Sequence, residues 1–336
     1  MFKYLIIINP LGLMYGSAGA FLSPENLVGR SGAKFPPEAA TVSGLIFSIN
    51  QATKKINQKE LSDKLSKELS ENLSVAGPFW ANIKDKQNFY VPIPWNKIIA
   101  KKAVDEWQLK DGQWQLENKT EKLEPDYRWQ TINSWGIAPK ALSSNQSVAK
   151  NPWEYISFLH PKIKHSERSV EQKDGLFLEN SVQMSDDTCL VYLSTHPIEP
   201  GWYRFGGENH IVEIEYKEIT NKTLLNLLNQ PIQRTFALIT PAIWGSNRLS
   251  YRHPQHQTFP QTIEMLTDKP VPYRFRAKGN LGRGRYAVPA GSVYVLAEPI
   301  NKPWWEWDEA WFPKEGYSLK RVGCGLCLPT EIKGVA

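Results

Sequence analysis

Cysteine is scarce in this chain, and its placement does not suit a cross-linked fold. Only Cys189, Cys324 and Cys327 occur in 336 residues. That excludes a disulfide framework and suits a reducing compartment. Cys324-Gly-Leu-Cys327 has the spacing of a metal-ligand pair, but no second pair answers it. Two small core or turn residues are the simpler reading, and no metal or cofactor is expected. Long apolar runs are also missing. Tyr4 to Ile8 is too short to span a bilayer and lacks a signal peptide's cleavage region, and no later run reaches spanning length. A soluble, cytoplasmic protein with no membrane partner is expected.

The signatures of common catalysts are absent as well. No Gly-x-Ser-x-Gly elbow occurs. Gly282-Arg283-Gly284-Arg285 lacks the Gly-Lys-Ser/Thr ending of a P-loop. Its glycines precede a strand rather than open a helix, which argues against dinucleotide binding. Six histidines are present: His160, His165, His196, His210, His253 and His256. His253 and His256 have an H-x-x-H spacing, but Pro254 between them indicates a loop and not a helical zinc face. Any histidine is chemically able to act as general base against a ribose 2′-hydroxyl. Spacing selects none of them, so no catalytic residue is assigned.

What the chain does have is a basic stretch, Lys269 to Ala297. Lys269, Arg274, Arg276, Lys278, Arg283 and Arg285 fall there with no Asp or Glu between them. Gly279, Gly282 and Gly284 interrupt the run. Glycine permits close approach of backbone to a ligand, and neighbouring Arg and Lys supply charge-assisted hydrogen bonds to phosphate. A polyanionic backbone, which needs spread positive charge, is the best-matched ligand. A solvated loop with bases kept for solubility is the competing reading. The net charge of +6 permits nucleic acid without demanding it. Thirteen tryptophans can fill a core, stack on bases or bury in a partner.

The rest of the pattern is α+β. Phe2 to Ile8 reads as a buried strand. A glycine-rich loop carrying Arg30 and Lys34 follows, then Phe35-Pro36-Pro37-Glu38 opens a helix running to about Ile56. Ala40, Ser43 and Gly44 would let another backbone come close, and the helix's free N–H groups attract phosphate. Leu61, Leu65, Leu69 and Leu73 make a narrow stripe on a surface helix over 57–73. Trp107 to Leu116 alternates around Asp111-Gly112, the strongest hairpin signal in the chain. Trp153 to Leu159 is expected as a short helix. The charged segment Lys162 to Gly175 holds His165 and Arg168 and leads into a strand, Leu176 to Val182. Strands are expected at Thr188 to Ser194, Ile211 to Tyr216 and Arg234 to Trp244. A turn is expected at Trp202 to His210, and a short helix near Thr223 capped by Asn221 or Thr223. Trp304, Trp307 and Trp311 share a face if Pro303 opens a helix, for core anchoring or partner contact. The glycine-rich end, Gly323 to Ala336, is expected near the N-terminal sheet. Two domains are expected, 1–185 with insertions (helical 57–73, hairpin region 100–120) and 186–336.

Four segments together resemble a known family. Phe35 to Leu45 is similar to the PPSPSTLAGAL-type motif of CRISPR RAMP proteins. Arg204-Phe205-Gly206-Gly207-Glu208 is similar to their Gly-Gly-Glu segment. Tyr286 to Tyr294 closely resembles the AVPAGSVY strand of one branch, and Lys164 to Phe177 that branch's charged strand. The first three, in this order, resemble the third subunit of type III-B (Cmr) effector complexes, in the Cas-five-like group. The resemblance implies two ferredoxin-like (RRM-like) domains, one degenerate, with a β-hairpin thumb. It implies binding of the 5′ repeat-derived tag of CRISPR RNA without catalysis. It implies contact with the large Palm-domain subunit and the adjacent backbone RAMP subunit, and only indirect contact with target RNA. The RNA-binding set expected is Arg30, Lys34, Thr41, Ser43, His165, Arg168, Arg274, Arg276, Lys278, Gly282, Arg283, Gly284 and Arg285. A RAMP endoribonuclease using His165 or His210, and a protein-only adaptor, are the alternatives.

Overall fold

The computed structural model describes residues 1–14, 35–54, 67–118, 123–145, 147–161, 163–164, 166–167, 169–170, 176–206, 210–245, 249–274, 276–277, 280–281 and 284–335. The expected features at Arg30, Lys34, Leu61, Leu65, His165, Arg168, Lys278, Gly282 and Arg283 lie outside them.

The first strand, Tyr4–Pro10, sits inside an eight-stranded antiparallel sheet. The sheet order is Gly201–Phe205, His210–Glu218, Tyr4–Pro10, Thr188–Ser194, Val75–Asn82, Tyr90–Pro92, Trp129–Thr131 and Val148–Ala149. The first strand is apolar without interruption because both its faces are covered. Leu5 and Ile7 enter one core with Val191, Phe236 and Trp307. Ile6 and Ile8 enter another with Val42, Ile46 and Tyr192. The helix behind this second core is Ala39–Lys54, as its proline-rich entry predicts.

The C-terminal half folds over the other face. Its sheet runs Thr262–Leu266, Val293–Leu296, Thr235–Leu238, Cys327–Pro329, all antiparallel. Numbered along the chain, its strands lie fourth, first, third, second from one edge. The four long strands Tyr4–Pro10, Val75–Asn82, Thr188–Ser194 and His210–Glu218 repeat that order. A helix, Ala39–Lys54, joins the first and second strands of the N-terminal set. The short helix Lys222–Asn229 packs in the core between the sheets, its N-cap Asn221 accepting from Leu224 N–H.

Several expectations need correcting. A boundary at 185/186 runs through the large sheet, because strands beyond it supply both neighbours of Tyr4–Pro10. Trp153 to Leu159 is not helical. Trp153–Pro161 pairs with Leu176–Met184 in a long two-stranded ribbon, and the β-branched and aromatic residues suit that state. Gly201–Phe205 is a strand, and the turn begins only at Gly206, whose φ is +83°. Trp304, Trp307 and Trp311 sit on short 3-10 turns with their rings in the core, not toward a partner. The Asp111-Gly112 hairpin is present, with both residues at positive φ. The chain's end does return to the N-terminal sheet: a Cβ on Gly323 would lie 2.5 Å from Ala76.

Candidate nucleic-acid interface

The described residues of the basic stretch pair with one another as a hairpin. Val271, Pro272 and Tyr273 face Ala287, Tyr286 and Arg285. Further out, Arg276–Ala277 pairs with Asn280–Leu281. Strand alternation then sorts the side chains. Tyr273, Arg285 and Ala287 are buried, while Pro272, Gly284 and Tyr286 are exposed. Arg285 is therefore turned inward, where its guanidinium forms an ion pair with Glu315. Its charge is neutralised inside the protein and is withdrawn from the expected phosphate-facing set. Arg274, just beyond the buried Tyr273, is half-buried.

The base of this hairpin stands against the entry of the helix Ala39–Lys54. Ala40 packs on a small core of Ile243, Tyr273, Ala287, Leu319, Val322 and Cys324. Behind it, the buried Tyr192 hydroxyl donates to Pro37 C=O at 2.6 Å. Burial pushes the Tyr192 phenol well up, and the Glu38 carboxylate adds to the rise. The Tyr273 phenol is raised by burial first and by Glu38 next. The Glu38 charge thus acts on two buried tyrosines, one from the sheet and one from the hairpin. Thr41 and Ser43 are half-buried beside the sheet-facing Val42. Of the small residues singled out in the helix, Ala40 meets the hairpin core. Gly44 is exposed, and a Cβ added there would meet nothing within 4 Å, so no close approach explains it.

The long ribbon joins at the same place. Phe35, just ahead of the helix, meets Trp153 at the ribbon's root with rings 5.3 Å apart and near-perpendicular. Tyr155, Leu159, Ile163 and Val170 are exposed along the ribbon. Three sequence-distant elements therefore converge: basic hairpin, helix entry and ribbon root.

The remaining candidates for chemistry are dispersed. Cys324 and Cys327 are buried, and burial pushes the Cys324 thiol up to about 12. Cys324 Sγ accepts from Ile243 N–H at 3.0 Å, a structural use. Among the described residues no group of three His, Cys, Asp or Glu could hold a metal. His253 and His256 make contacts within their own turn, to Gln255 and Thr258. Among the described residues no helix is long and apolar enough to cross a membrane. Sequence reasoning missed Tyr192, Tyr273 and Glu315, and read Glu38 only as part of the helix entry. The alternation Val271-Tyr273 and Arg285-Ala287 was the available signal for an inward-facing arginine.

Two antiparallel sheets with one strand order, a helix entry and a basic hairpin define an α+β protein with a basic hairpin at its helix entry. The chain belongs to the family of CRISPR-associated proteins named Cas_Cmr3, whose pattern it matches over residues 12–330. Its fold is similar to a chain in a type III-B Cmr-beta complex bound to cognate target RNA and AMPPnP. There the identity is 13%, the cover 87% of this chain and 86% of that one, and the TM-score 0.51. A weaker likeness, TM-score 0.42 at 9% identity, is to a chain of a Csm3-Csm4 subcomplex of the type III-A interference complex, covering 89% of this chain and 99% of that one. Among curated proteins, none matches this sequence.

Proposed function

We propose that this chain is the non-catalytic, RNA-holding subunit of a type III-B CRISPR effector complex. It grips the 5′ repeat-derived tag of the CRISPR RNA where the basic hairpin, the helix entry and the ribbon root meet. It docks the large Palm-domain subunit and the adjacent backbone RAMP subunit, and meets target RNA indirectly. The observation that carries this reading is the junction of an acid-free basic hairpin with a helix N-terminus, in a chain of the Cas_Cmr3 family. Single-stranded RNA is held by shape, phosphate and stacking, and this junction supplies cations and open backbone.

We read both sheets as ferredoxin-like, since each runs fourth, first, third, second. The C-terminal one is degenerate, with no α-helix between its described strands. The thumb is the ribbon Trp153–Pro161 and Leu176–Met184. The Asp111-Gly112 hairpin is the poorer choice, because Leu109 and Trp114 pack on the main core and Leu109 N–H donates to Lys333 C=O.

The test is a salt titration of tag-RNA binding by the double variant Arg274→Ala, Arg283→Ala. Affinity falls, and the slope of log K against log salt flattens by about 0.7 for each phosphate the variant no longer neutralises. Unchanged affinity and slope would remove the hairpin from the interface. Metal-independent cleavage of repeat RNA, abolished by a single His→Ala change at His165 or His210, would replace this reading with the nuclease.

A further inference from the structure

Two surface clefts differ in the sign of their walls. The groove beside Asn9 to Leu13 carries Asp186, Glu213 and Glu215 against a single lysine, Lys86. That wall repels a polyanion. The cleft between Pro94 and Pro125 has a volume of about 180 Å³ and carries Lys97 and Arg128 with no carboxylate in its lining.

Its floor is aromatic and rigid. Pro92 and Pro94 hold the chain around them extended, and Ile93 N–H donates to Arg128 C=O at 3.0 Å. Trp95 N–H donates to Gly291 C=O at 2.8 Å. Gly291 has φ +89°, and a Cβ there would lie 2.9 Å from Ile93 O and 3.0 Å from the Trp95 ring. The Pro289-Ala290-Gly291 turn, which follows the return strand of the basic hairpin, thus fixes the Trp95 backbone. The exposed Arg128 guanidinium lies 5.8 Å from the Trp95 ring centroid. Trp129 is a further wall, its indole N–H donating to Asn151 Oδ1 at 2.7 Å. That bond leaves the Asn151 amide N–H groups for another acceptor. Trp129 also contacts Trp153 at 5.9 Å, and Trp153 contacts Phe35, so two ring contacts link the cleft to the helix entry.

Tyr127 lines the same cleft. We propose that this cleft takes one unstacked base of the bound single-stranded RNA, against Trp95 and Tyr127, with Arg128 on the adjoining phosphate. The proposal rests on the RNA-holding reading. An aromatic floor, an arginine at the rim and an amide able to meet a base edge are the parts such a pocket needs. A proline-rich peptide also seats on aromatic grooves, but it does not call for an exposed arginine at the rim or the absence of carboxylate.

The experiment uses the full chain and a short single-stranded RNA of the repeat-derived tag, with 5-iodouridine placed at one position at a time. Irradiation followed by peptide mass spectrometry locates the adducts. The expected result is one position that marks Trp95 or Tyr127, and a loss of affinity of about tenfold in the exposed variant Arg128→Ala. Trp95→Ala weakens binding further, and Trp95→Tyr, which keeps a stacking face, restores part of it. Adducts confined to 269–287 would overturn the cleft while leaving the hairpin's role standing. Adducts nowhere on the chain would overturn both. Unchanged affinity in Arg128→Ala, or a PxxP peptide that blocks modification of the cleft without displacing RNA, would also overturn the proposal.

Discussion

Arg285 and Glu315 form a buried ion pair in which neither residue can be removed alone without consequence. Both side chains are largely withdrawn from water, at 3% and 15% exposure. Glu315→Gln leaves the guanidinium buried without its counter-charge, and the expected loss of stability is about 3–5 kcal/mol. Replacing both partners with Met recovers most of it, because the desolvation cost goes with the charges. Urea unfolding of the single and double variants measures the difference. Lys97 gives a pH-dependent signature of its own. Burial lowers its ammonium to about 8, against favourable pulls from Glu106 and Glu331, and its Nζ donates to Ile137 C=O. An unfolded lysine holds its proton to higher pH, so above about 8 the unfolded state binds more protons. This group's contribution to stability therefore rises with pH between about 8 and 10. The buried thiols, raised by burial, pull the other way over the same range. The comparison that isolates the lysine is the stability slope between pH 8 and 10 in wild type against Lys97→Met. The variant's slope is the less positive, by up to roughly 3 kcal/mol across the range.

The Asp111-Gly112 turn is the element whose geometry its own sequence most fully determines. Both residues take positive φ, 51° and 72°, the pairing a two-residue hairpin needs. Gly112→Val meets no steric neighbour but must hold left-handed backbone, at a cost of about 1–2 kcal/mol. Asp111→Asn is close to neutral, and thermal melts separate the two. The same local logic made the strand Tyr4–Pro10, the helix at Ala39 and the Asn221 cap legible from sequence. It failed at Trp153 to Leu159, where a run of aromatic and apolar residues suits helix or strand and the partner strand, Leu176–Met184, decides. It failed at the tryptophan-rich tail because exposure depends on what folds over a residue, and Phe236 and Phe259 cover Trp307. The candidate site was half legible. The helix entry and the basic stretch could each be read from residue type. Their contact, and the inward turn of Arg285, depend on Glu38, Tyr192 and Glu315, residues with no local signature.

At the scale of the whole molecule, one large core joins residues from Phe2 to Ile332. The central strand Thr188–Ser194 lies between Tyr4–Pro10 and Val75–Asn82. A fragment ending at 185 therefore lacks the strand that bridges Tyr4–Pro10 and Val75–Asn82. It is expected to be insoluble or unfolded by circular dichroism, while the full chain melts in one cooperative step. Two separate folded halves from a break at 185/186 would contradict the shared sheet. The same topology sets a timetable for synthesis. Tyr4–Pro10 leaves the ribosome well ahead of its flanking strands, which begin at Thr188 and His210. While the intervening residues are translated, a sticky apolar segment waits bare on both edges, which makes the nascent chain slow to fold and a natural client for a holding chaperone.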